Sequence, residues 1–470
     1  MHIGLIEPSP DLVGGVDTKI PHLGLLYIAA VLLKEKHSVE ILDMKVATEE
    51  EINEFFNKSH DILGVSITSA SFNYALSIIN KIKEIKPDVP VVIGGPHVSI
   101  ADKNVLEYSE IDYGVYGEGE NTIVELLALL SSNPKPASEK LQKIKGLIYR
   151  VGNQVNMTEP RDLIKDIDAI SFPAIDLIPL ERYNSYSIIT SRGCPYKCTY
   201  CSTPVIWSQK WRPRSADNIV NEIEYLVNKG GKKYVYINDD NFTLDTKRAH
   251  EICDKIIVKG FDLKFSAMGI RADKLDIALL DKMYKAGIVS LSIGVESANQ
   301  EVLKSIKKNE TIEEIRNGIR LAKKIGMRIV GLFMIGNQGD NLNTAKETIG
   351  FALKEDFDEV IFALALPYPK TYLWDYVEKK GRWIKKDYIN FSHFSDQPVF
   401  ETPEFPLKDR IEAYRLAQEC VLKVRSKKYM TATFSLTFLK KIFSRRLFSK
   451  ESIGRFFGFL KIHITYRKPK

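Results

Sequence analysis

Cysteine is scarce in this sequence, and so are long apolar runs. Five of the 470 residues are cysteine, too few for the disulfide framework of a small secreted domain. The one uncharged stretch of membrane-spanning length, residues 62–80, contains serine, threonine and asparagine throughout, whereas a transmembrane helix needs about 20 mainly apolar residues. The basic and then apolar start of a secretory signal is also missing. We therefore expect a cytoplasmic protein.

The overall composition is that of an ordinary globular protein. Hydrophobic residues make up 44% of the chain and charged residues 27%, which excludes the disordered and collagen-like classes. At about 100–200 residues per domain, the length predicts two to four domains, each large enough to bury a core.

Positive charge is concentrated at the C-terminal end. Residues 421–470 contain fourteen lysines and arginines and one glutamate, a net charge of +13, and the rest of the chain is net negative, at −6. Aromatic and leucine side chains interleave with these cations: Phe434, Phe438, Phe443, Leu447, Phe456, Phe457, Phe459 and Leu460. The pattern predicts a helix lying in a membrane interface. Packing on the preceding domain and a nucleic-acid patch are alternatives.

Short strands alternate with amphipathic helices over residues 1–145. The predicted strands are His2–Glu7, Val39–Asp43, Leu63–Thr68, Val89–Gly94 and Tyr113–Tyr116. This alternation is typical of a parallel sheet with helices on both faces, so we predict a five-stranded, doubly wound, Rossmann-like domain. Such sheets bind ligands at the carboxyl ends of their strands.

Small and polar residues follow three of these strands, in the segments Ser66–Ser69, Gly94–His97 and Gly117–Glu120. Glycines there let a backbone approach a bound ligand closely. Tight strand-to-helix turns account for each segment separately, so that alternative stays open.

A second β/α series follows a predicted linker over residues 146–185, which has a turn at Gly152–Asn153 and a proline-rich loop. The series occupies residues 186–400, with strands Ser187–Thr190, Tyr234–Asn238, Lys264–Met268, Leu291–Gly294, Ile329–Met334 and Glu359–Leu366. Six strands separated by helices predict a partial (β/α)6 barrel of TIM type, with its site at the carboxyl ends of the strands. Residues 401–470 are expected to be a basic, aromatic helical region.

Three cysteines cluster directly after the first barrel strand. Cys194, Cys198 and Cys201 have the spacing C-x3-C-x2-C, which indicates a metal site. A structural zinc site needs four protein ligands, and no fourth cysteine or histidine lies nearby. Three thiolates suit a [4Fe–4S] cluster with one iron left open. Cys253 and Cys420 stand alone and are expected to be buried small hydrophobes.

This cysteine spacing resembles the hallmark of the radical SAM superfamily. The resemblance implies that the three thiolates bind a [4Fe–4S] cluster and that S-adenosylmethionine (SAM) chelates the fourth iron. It also implies that an electron from the cluster cleaves SAM to a 5′-deoxyadenosyl radical. Such chemistry needs an electron donor, for which a flavodoxin, a ferredoxin or a reductase is expected.

Segments after later barrel strands are similar to SAM-binding motifs of that superfamily. They are Tyr236–Thr243, Ser292–Ser297 and Phe333–Gly336, after the second, fourth and fifth strands. The resemblance implies SAM contacts by Asp239, Asp240, Arg271, Gly294, Glu296, Ser297 and Gly336. Each has a structural alternative, namely helix capping, surface ion pairing or glycine packing.

Two segments depart from the superfamily pattern. Residues 337–340 are Asn-Gln-Gly-Asp where many relatives have Pro-Gly-Glu, and Lys370 stands where glycine is usual. Both departures concern loops on the substrate side of the barrel.

The two domains together resemble the cobalamin-binding radical SAM enzymes across residues 1–400. The N-terminal part of this resemblance rests on Pro21–Ala30, Gly94–His97 and Gly117–Glu120. It implies cobalamin contacts by Ser66, Thr68, Gly94, Gly95, Pro96, His97, Gly117, Glu118 and Gly119. The motif Asp-x-His-x-x-Gly, which supplies an axial histidine, is missing, so the resemblance implies a cobalt without a protein ligand. A turn histidine bonded to backbone is the alternative for His97.

The resemblance implies a methyltransferase that acts on an unactivated carbon. One SAM would supply the radical and another would methylate cobalamin, which would pass the methyl group to the substrate. A cyclase or oxidase without methyl transfer is the alternative within the class, and a non-catalytic metal-binding protein that docks on membranes is the alternative outside it. The basic C-terminal segment favours a lipid-like substrate and a peripheral position at the inner membrane face, with nucleic acid as the weaker partner class.

Overall fold

Two largely parallel β-sheets, one in each half of the chain, carry the residues of interest at the ends of their strands. The structure, a computed structural model, describes residues 1–8, 12–13, 16–17, 19–231, 233–388, 391–393 and 395–433. The aromatic residues of the basic C-terminal segment, from Phe434 onwards, lie outside the described residues. The interface helix expected there is therefore still a prediction.

The N-terminal sheet has the parallel order expected of a doubly wound domain. The described strands of this half are β1 (His2–Glu7), β2 (Leu12–Val13), β3 (Val16–Asp17), β4 (Ser38–Asp43), β5 (Ile62–Ser66), β6 (Val91–Gly94), β7 (Tyr113–Val115), β8 (Leu147–Val151) and β9 (Gln154–Met157). Seven of them form one sheet in the order β4-β1-β5-β6-β7-β8-β9. Strands β4, β1, β5, β6 and β7 pair in parallel, which confirms the predicted arrangement.

The hairpin β8–β9 enlarges this sheet beyond the five predicted strands. The sequence places it in the linker that begins at residue 146, but β8 pairs antiparallel with β7, and β9 with β8. Leu147, Ile148 and Tyr149 are buried. Their apolar surface is therefore removed from water only when the hairpin joins the sheet.

Helices connect the strands of the first half and cover the sheet. They are α1 (Leu23–Lys34), α2 (Glu49–Asn57), α3 (Phe72–Ile85), α4 (Pro96–Ala101), α5 (Glu120–Ser132) and α6 (Ser138–Leu141). Helix α2 begins with a capping box, in which the Thr48 hydroxyl accepts from the Glu51 amide and the Glu51 carboxylate accepts from the Thr48 amide. Two apolar clusters, one around Ile93 and one around Leu126, form the core of this half.

The second half is an open parallel sheet of barrel type. Its described strands are β10 (Tyr186–Ile188), β11 (Ser191–Arg192), β12 (Arg212–Pro213), β13 (Tyr234–Ile237), β14 (Lys264–Ile270), β15 (Ile288–Glu296), β16 (Arg328–Ile335), β17 (Glu359–Leu364), β18 (Arg382–Trp383) and β19 (Phe400–Glu401). Six of them are parallel neighbours in the order β10-β13-β14-β15-β16-β17. This order confirms the predicted six-stranded partial barrel.

Helices lie between successive barrel strands, as the sequence predicts. They are α7 (Thr203–Trp207), α8 (Ala216–Asn228), α9 (Thr246–Lys259), α10 (Ile277–Lys285), α11 (Gln300–Ser305), α12 (Ile312–Ile325) and α13 (Leu342–Lys354). Two more, α14 (Tyr372–Lys380) and α15 (Leu407–Thr433), follow the last barrel strand. Helix α15 packs against α13 and β17. Cys253 on α9 and Cys420 on α15 are buried, as expected. No helix within the described residues is long and apolar enough to cross a membrane.

Candidate functional site

The three clustered cysteines lie on a loop at the carboxyl edge of the barrel sheet, between β11 and β12. Their thiols are free and partly exposed. Burial raises the pKa of all three thiols, that of Cys201 to about 11. Metal binding at this loop must therefore displace protons from neutral thiols.

The three thiols offer the donor set of an iron–sulfur cluster. A structural zinc site takes four protein ligands, whereas three thiolates can hold a [4Fe–4S] cluster and leave one iron open. Elsewhere among the described residues, ligand atoms of His2, Glu40 and His60 all lie within 4.8 Å of one another. The chemistry of the cysteine loop thus fits the cluster that the resemblance implies.

Asp239 and Asp240, directly after β13, anchor the start of the cysteine loop. Asp239 accepts hydrogen bonds from the amide of Thr190 at 2.6 Å, from its hydroxyl at 2.5 Å and from the hydroxyl of Ser191 at 2.6 Å. Asp240 accepts from the amide of Gly193 at 3.1 Å and from Thr203 Oγ1 at 3.0 Å. Both Asp239 oxygens are engaged by the protein, so Asp239 anchors the loop, and its SAM contact stays a prediction.

Gly193 allows the loop to close on itself next to Cys194. Its φ angle is +86°, and an added Cβ would lie 2.1 Å from the carbonyl oxygen of Lys210. Any other residue would therefore be strained in its backbone and would collide with the far side of the loop.

The opposite side of the loop rests on the segment after α11. The amide of Thr199 donates to the carbonyl of Ile306 at 3.0 Å, and the carbonyl of Thr199 accepts from Leu373 on α14 at 2.9 Å. Cys198 Sγ lies 3.9 Å from the carbonyl oxygen of Lys307. The loop is thus bonded both to the segment after α11 and to helix α14.

Arg271, after β14, supports this segment and does not have a free donor face. It donates to the carbonyls of Lys308 at 2.6 Å and Asn309 at 3.0 Å, and its Nε donates to Asp273 at 3.1 Å. Its guanidinium stacks 3.9 Å from the ring centre of Tyr196, which lies between the cysteines. Arg271 therefore supports the loop, and its SAM contact stays a prediction.

Glu296, at the end of β15, belongs to a buried charge group under the loop. Lys308 Nζ lies 3.6 Å from Glu296 Oε1 and 3.4 Å from Glu310 Oε2. Glu296 adopts a left-handed backbone, with φ of +64°. Gly294 leaves room for this group, because a Cβ there would lie 2.8 Å from Glu296 Oε1 and 3.0 Å from Lys308 Nζ.

Two other predicted SAM residues have partners elsewhere in the barrel. Ser297 Oγ pairs with Thr348 Oγ1 at 3.2 Å. The carbonyl of Gly336 accepts from Arg410 Nη1 on α15 at 3.0 Å, and a Cβ at Gly336 would collide with that guanidinium at 2.3 Å. Both positions thus have a structural role, and their SAM contacts stay predictions.

At the carboxyl edge of the N-terminal sheet, most of the predicted cobalamin residues shape turns. Gly95 has a φ of +103°, and an added Cβ would lie 2.6 Å from the carbonyl oxygen of Ile67. Pro96 begins α4, Gly119 precedes α5, and Thr68 bonds to Ser71 at the start of α3.

Gly94 and Gly117 leave open space at this edge. The nearest atom to an added Cβ at Gly94 lies 3.9 Å away, and none lies within 4 Å at Gly117. Gly117 has a φ of +73° and donates its amide to Ser99 Oγ at 2.9 Å. A ligand backbone or ring could therefore approach here without meeting a side chain.

His97 is a buried side chain, bonded to a side chain and not to backbone as the turn alternative supposed. Its Nδ1 lies 3.0 Å from Ser69 Oγ, and its ring packs 4.5 Å from that of Phe72. Burial lowers the pKa of His97 to about 4. The imidazole is therefore neutral over the physiological range.

Sequence analysis missed His22, which lies at the same sheet edge. Its Nε2 is 3.3 Å from Ser66 Oγ and 3.4 Å from Glu7 Oε2, and its Nδ1 caps α1. The signal was its position directly before a helix that follows β1.

Glu118 bonds to residues of the barrel half. Its carboxylate accepts from Arg192 and Arg212 of the barrel half, at 2.6 and 2.8 Å, and from the amide of Ile164 at 2.7 Å. Both oxygens are thereby engaged in an ion pair between the two halves, and the cobalamin contact of Glu118 stays a prediction. Glu120, Arg192 and Arg212 had no assigned role in the sequence.

Sequence families match both halves. A match described as the B12 binding domain covers residues 10–127, and one described as the Radical SAM superfamily covers residues 188–352. The two matches include the glycine-bearing sheet edge and the cysteine loop.

Relatives of known or assigned activity align with most of the chain. An uncharacterized methyltransferase, PH0819, of Pyrococcus horikoshii is 34% identical over 370 residues, which are 77% of this chain and 79% of that protein. The anaerobic magnesium-protoporphyrin IX monomethyl ester cyclase of Cereibacter sphaeroides is 27% identical over 391 residues, 80% of this chain and 63% of the cyclase.

A solved structure has the same fold. The radical S-adenosylmethionine methyltransferase TsrM of Kitasatospora setae, solved with cobalamin and a [4Fe–4S] cluster, superimposes with a TM-score of 0.68 at 21% identity. The superposition covers 80% of this chain and 78% of TsrM. At this identity it supports the fold and no individual residue role.

Proposed function

The chain belongs to the radical SAM enzymes that carry an N-terminal B12-binding domain, and we propose that within this family it transfers a methyl group to an unactivated carbon. The family is one of [4Fe–4S]-, SAM- and cobalamin-dependent enzymes. When bound, these groups supply a 5′-deoxyadenosyl radical and a transferable methyl group. The observation that carries the proposal is a three-cysteine loop, with no fourth cysteine or histidine in the motif, docked directly on the B12-binding half.

The chain's own residues would hold and separate the cofactors. Cys194, Cys198 and Cys201 would hold the cluster, and the predicted SAM residues around the loop, Asp240 and Glu296 among them, would contact SAM. Gly94 and Gly117 would admit cobalamin at the facing sheet edge. The contact between α4 and α7 brings the two edges together, so a substrate between them would be shielded from water.

Methyl transfer is favoured over cyclisation by the relative with the higher identity. PH0819 carries a methyltransferase name and is matched over more of its own length than the cyclase is. Cyclisation without methyl transfer is the second candidate, since the cyclase aligns with 80% of this chain.

A lipid-like substrate is the finer part of the proposal, and peripheral membrane contact goes with it. Its support is the +13 charge and the interleaved aromatics of residues 421–470. Flotation of the full chain with vesicles containing anionic lipid tests this part separately. Vesicle binding that disappears on removal of residues 434–470 is expected, and unchanged binding or none at all would contradict it.

The central experiment uses the anaerobic holoenzyme with SAM labelled in its methyl group. The holoenzyme is incubated with a reductant and with lipid extracts that contain candidate substrates. We expect 5′-deoxyadenosine, S-adenosylhomocysteine and a labelled product. Deoxyadenosine with an unlabelled, dehydrogenated or cyclised product would establish the second candidate instead. Absence of both SAM products from protein with a full cluster would contradict the enzyme assignment.

A further inference from the structure

Four charged residues, three of them buried and one partly buried, join the two halves beside the cysteine loop. We refer to Glu118, Glu120, Arg192 and Arg212 as the ion-pair cluster. Arg192 donates to Glu118 through Nη1 and to Glu120 through Nη2, both at 2.6 Å. Arg212 Nη1 donates to Glu118 at 2.8 and 2.9 Å. The cluster contains two positive and two negative side chains and is therefore neutral as a whole.

Aromatic rings and backbone groups complete the surroundings of these charges. The Arg192 guanidinium lies 5.5 Å from the ring centre of Tyr27 and 5.9 Å from that of Trp207, and the Arg212 guanidinium lies 5.5 Å from Trp207. Arg212 also donates to the carbonyl of Ile164 at 2.6 Å. Buried charges persist only when paired and hydrogen-bonded. Arg192 meets that requirement through two carboxylates. Arg212 meets it through Nη1, whereas its Nε and Nη2 are buried with no hydrogen-bond partner among the described residues.

The two arginines stand at the base of the cysteine loop. Arg192 on β11 and Arg212 on β12 are directly opposite each other in a two-stranded antiparallel ribbon. Residues 193–211 between them contain all three cysteines and α7. A carboxylate that holds both arginines therefore holds both ends of this loop.

A second contact joins the halves on another loop. Lys370, which departs from the usual glycine, has a φ of +67°. Its ammonium donates to the carbonyl of Ser99 at 2.8 Å and pairs with Asp102 of the N-terminal half. This exposed pair contributes less to stability than the ion-pair cluster, but it also joins the barrel half to the N-terminal half.

We propose that Glu118 is a positioning residue, which fixes the cysteine loop relative to the B12-binding half by holding Arg192 and Arg212. This inference rests on the proposed function only in assigning the [4Fe–4S] cluster to the cysteine loop. The alternative, a direct contact between Glu118 and cobalamin, is what the sequence resemblance implied.

The first test is hydrogen exchange of the full chain without cofactors. Glu118→Gln keeps the shape of the side chain and removes its charge, and Arg192→Lys keeps the charge but removes the two-pronged geometry. For each variant, exchange of the amides in residues 191–214 is expected to be at least about tenfold faster. The effects of the two changes should be less than additive in the double variant, because both changes break the Arg192–Glu118 contact. Additive effects, or unchanged exchange in this segment, would overturn the proposal.

The matched control is Glu125→Gln on helix α5, which begins two residues after Glu118. Glu125 pairs with Arg161 at 2.5 Å at a half-exposed position. Exchange in residues 191–214 should be unchanged in this variant. A change as large as that of Glu118→Gln would show that the effect is not specific to the ion-pair cluster and would also overturn the proposal.

The second test measures position directly in the holoenzyme. Pulsed EPR measures the distance between the reduced [4Fe–4S] cluster and cob(II)alamin. The distribution of this distance should be narrow in the parent protein, broader in Glu118→Gln and narrow again in Glu118→Asp. Cobalamin affinity should change by less than about threefold, since no contact to it is lost. A large loss of cobalamin affinity with an unbroadened distribution would instead support the direct contact. Neither test depends on methyl transfer, so failure of the proposed reaction would be seen separately.

Discussion

The carboxyl edges of the two sheets differ in how much open space they contain. At the carboxyl ends of the barrel strands, Asp239, Arg271 and Glu296 bond to other protein groups around the cysteine loop. At the carboxyl ends of the N-terminal strands, Gly94 and Gly117 leave space that no side chain fills. One edge is thus tightly bonded, and the other contains an open surface.

The difference follows from how each cofactor of the family is held. A cluster bound through three thiolates needs a loop whose backbone is already fixed, and buried carboxylates and a guanidinium fix it through hydrogen bonds. A large cofactor held without covalent bonds needs a surface that its ring can approach, which glycine provides. The following experiments are designed to break or sharpen this contrast.

Replacing a cluster ligand should have the largest effect. In Cys198→Ala, we expect the reconstituted protein to lose the [4Fe–4S] absorbance and all formation of 5′-deoxyadenosine, because two thiolates cannot hold the cube. Cobalamin binding should remain, since the open edge is untouched. Iron analysis and equilibrium dialysis measure the two properties separately.

Cys253→Ala provides the matched control for that variant. This cysteine is buried on α9, away from the loop, so its removal should leave the iron content unchanged and cost only about 1 kcal/mol of stability. Full iron content in Cys198→Ala would contradict the assignment of that ligand.

Loss of the loop anchor should have the next largest effect. Asp239→Asn places an amide donor against the donors of Thr190 and Ser191, and we expect the free energy of unfolding to fall by about 3 kcal/mol. Urea-induced unfolding of the apoprotein measures this change. The exposed pair Asp262–Lys233 supplies the control, since Asp262→Asn should cost less than about 0.5 kcal/mol. Equal effects of the two variants would show that Asp239 is no anchor.

Sequence patterns could predict the strands and single out the cysteine loop because both are local signals. Alternation of apolar residues identifies a buried strand within a few residues, and the cysteine spacing lies within one loop. The five parallel N-terminal strands and the six barrel strands accordingly match their predictions closely. The hairpin β8–β9 was placed in a linker, because what it pairs with is set by the neighbouring β7 and not by its own composition.

Partners that lie far apart in the chain could not be predicted. Glu118 is 74 residues from Arg192 and 94 from Arg212, and no local pattern connects them. A glycine-rich segment at a sheet edge has the same sequence pattern in two cases. Its acidic residues can contact a ligand, or they can pair with another domain. Arg410, which bonds to Gly336, is likewise 74 residues from its partner.

Acid should destabilise the open edge through His97. Burial holds the pKa of this histidine at about 4 in the folded protein, against about 6.5 when it is unfolded. The unfolded state therefore binds one more proton between these values, so stability is full above pH 6.5 and falls as the pH is lowered. The contribution lost by pH 5 is about 2 kcal/mol.

His97→Gln isolates that contribution, because glutamine does not titrate. We expect the variant to be less stable than the parent at pH 7, where the contact with Ser69 is weakened, but to lose about 2 kcal/mol less between pH 7 and pH 5. Urea unfolding at a series of pH values measures both. Parallel pH profiles for parent and variant would show that the imidazole is not buried as a neutral group.

The smallest expected effect is the most direct test of the open edge. Gly117→Ala adds a methyl group where no atom lies within 4 Å, so it should strain only the left-handed backbone, at a cost of about 1 kcal/mol. Gly152 in the β8–β9 turn is a matched control, because its φ is +57° and its surroundings are equally empty. Both variants should lose similar stability, but only Gly117→Ala should weaken cobalamin binding, by about tenfold. Equal cobalamin affinity in the two variants would mean that the space beside Gly117 is not where the cofactor lies.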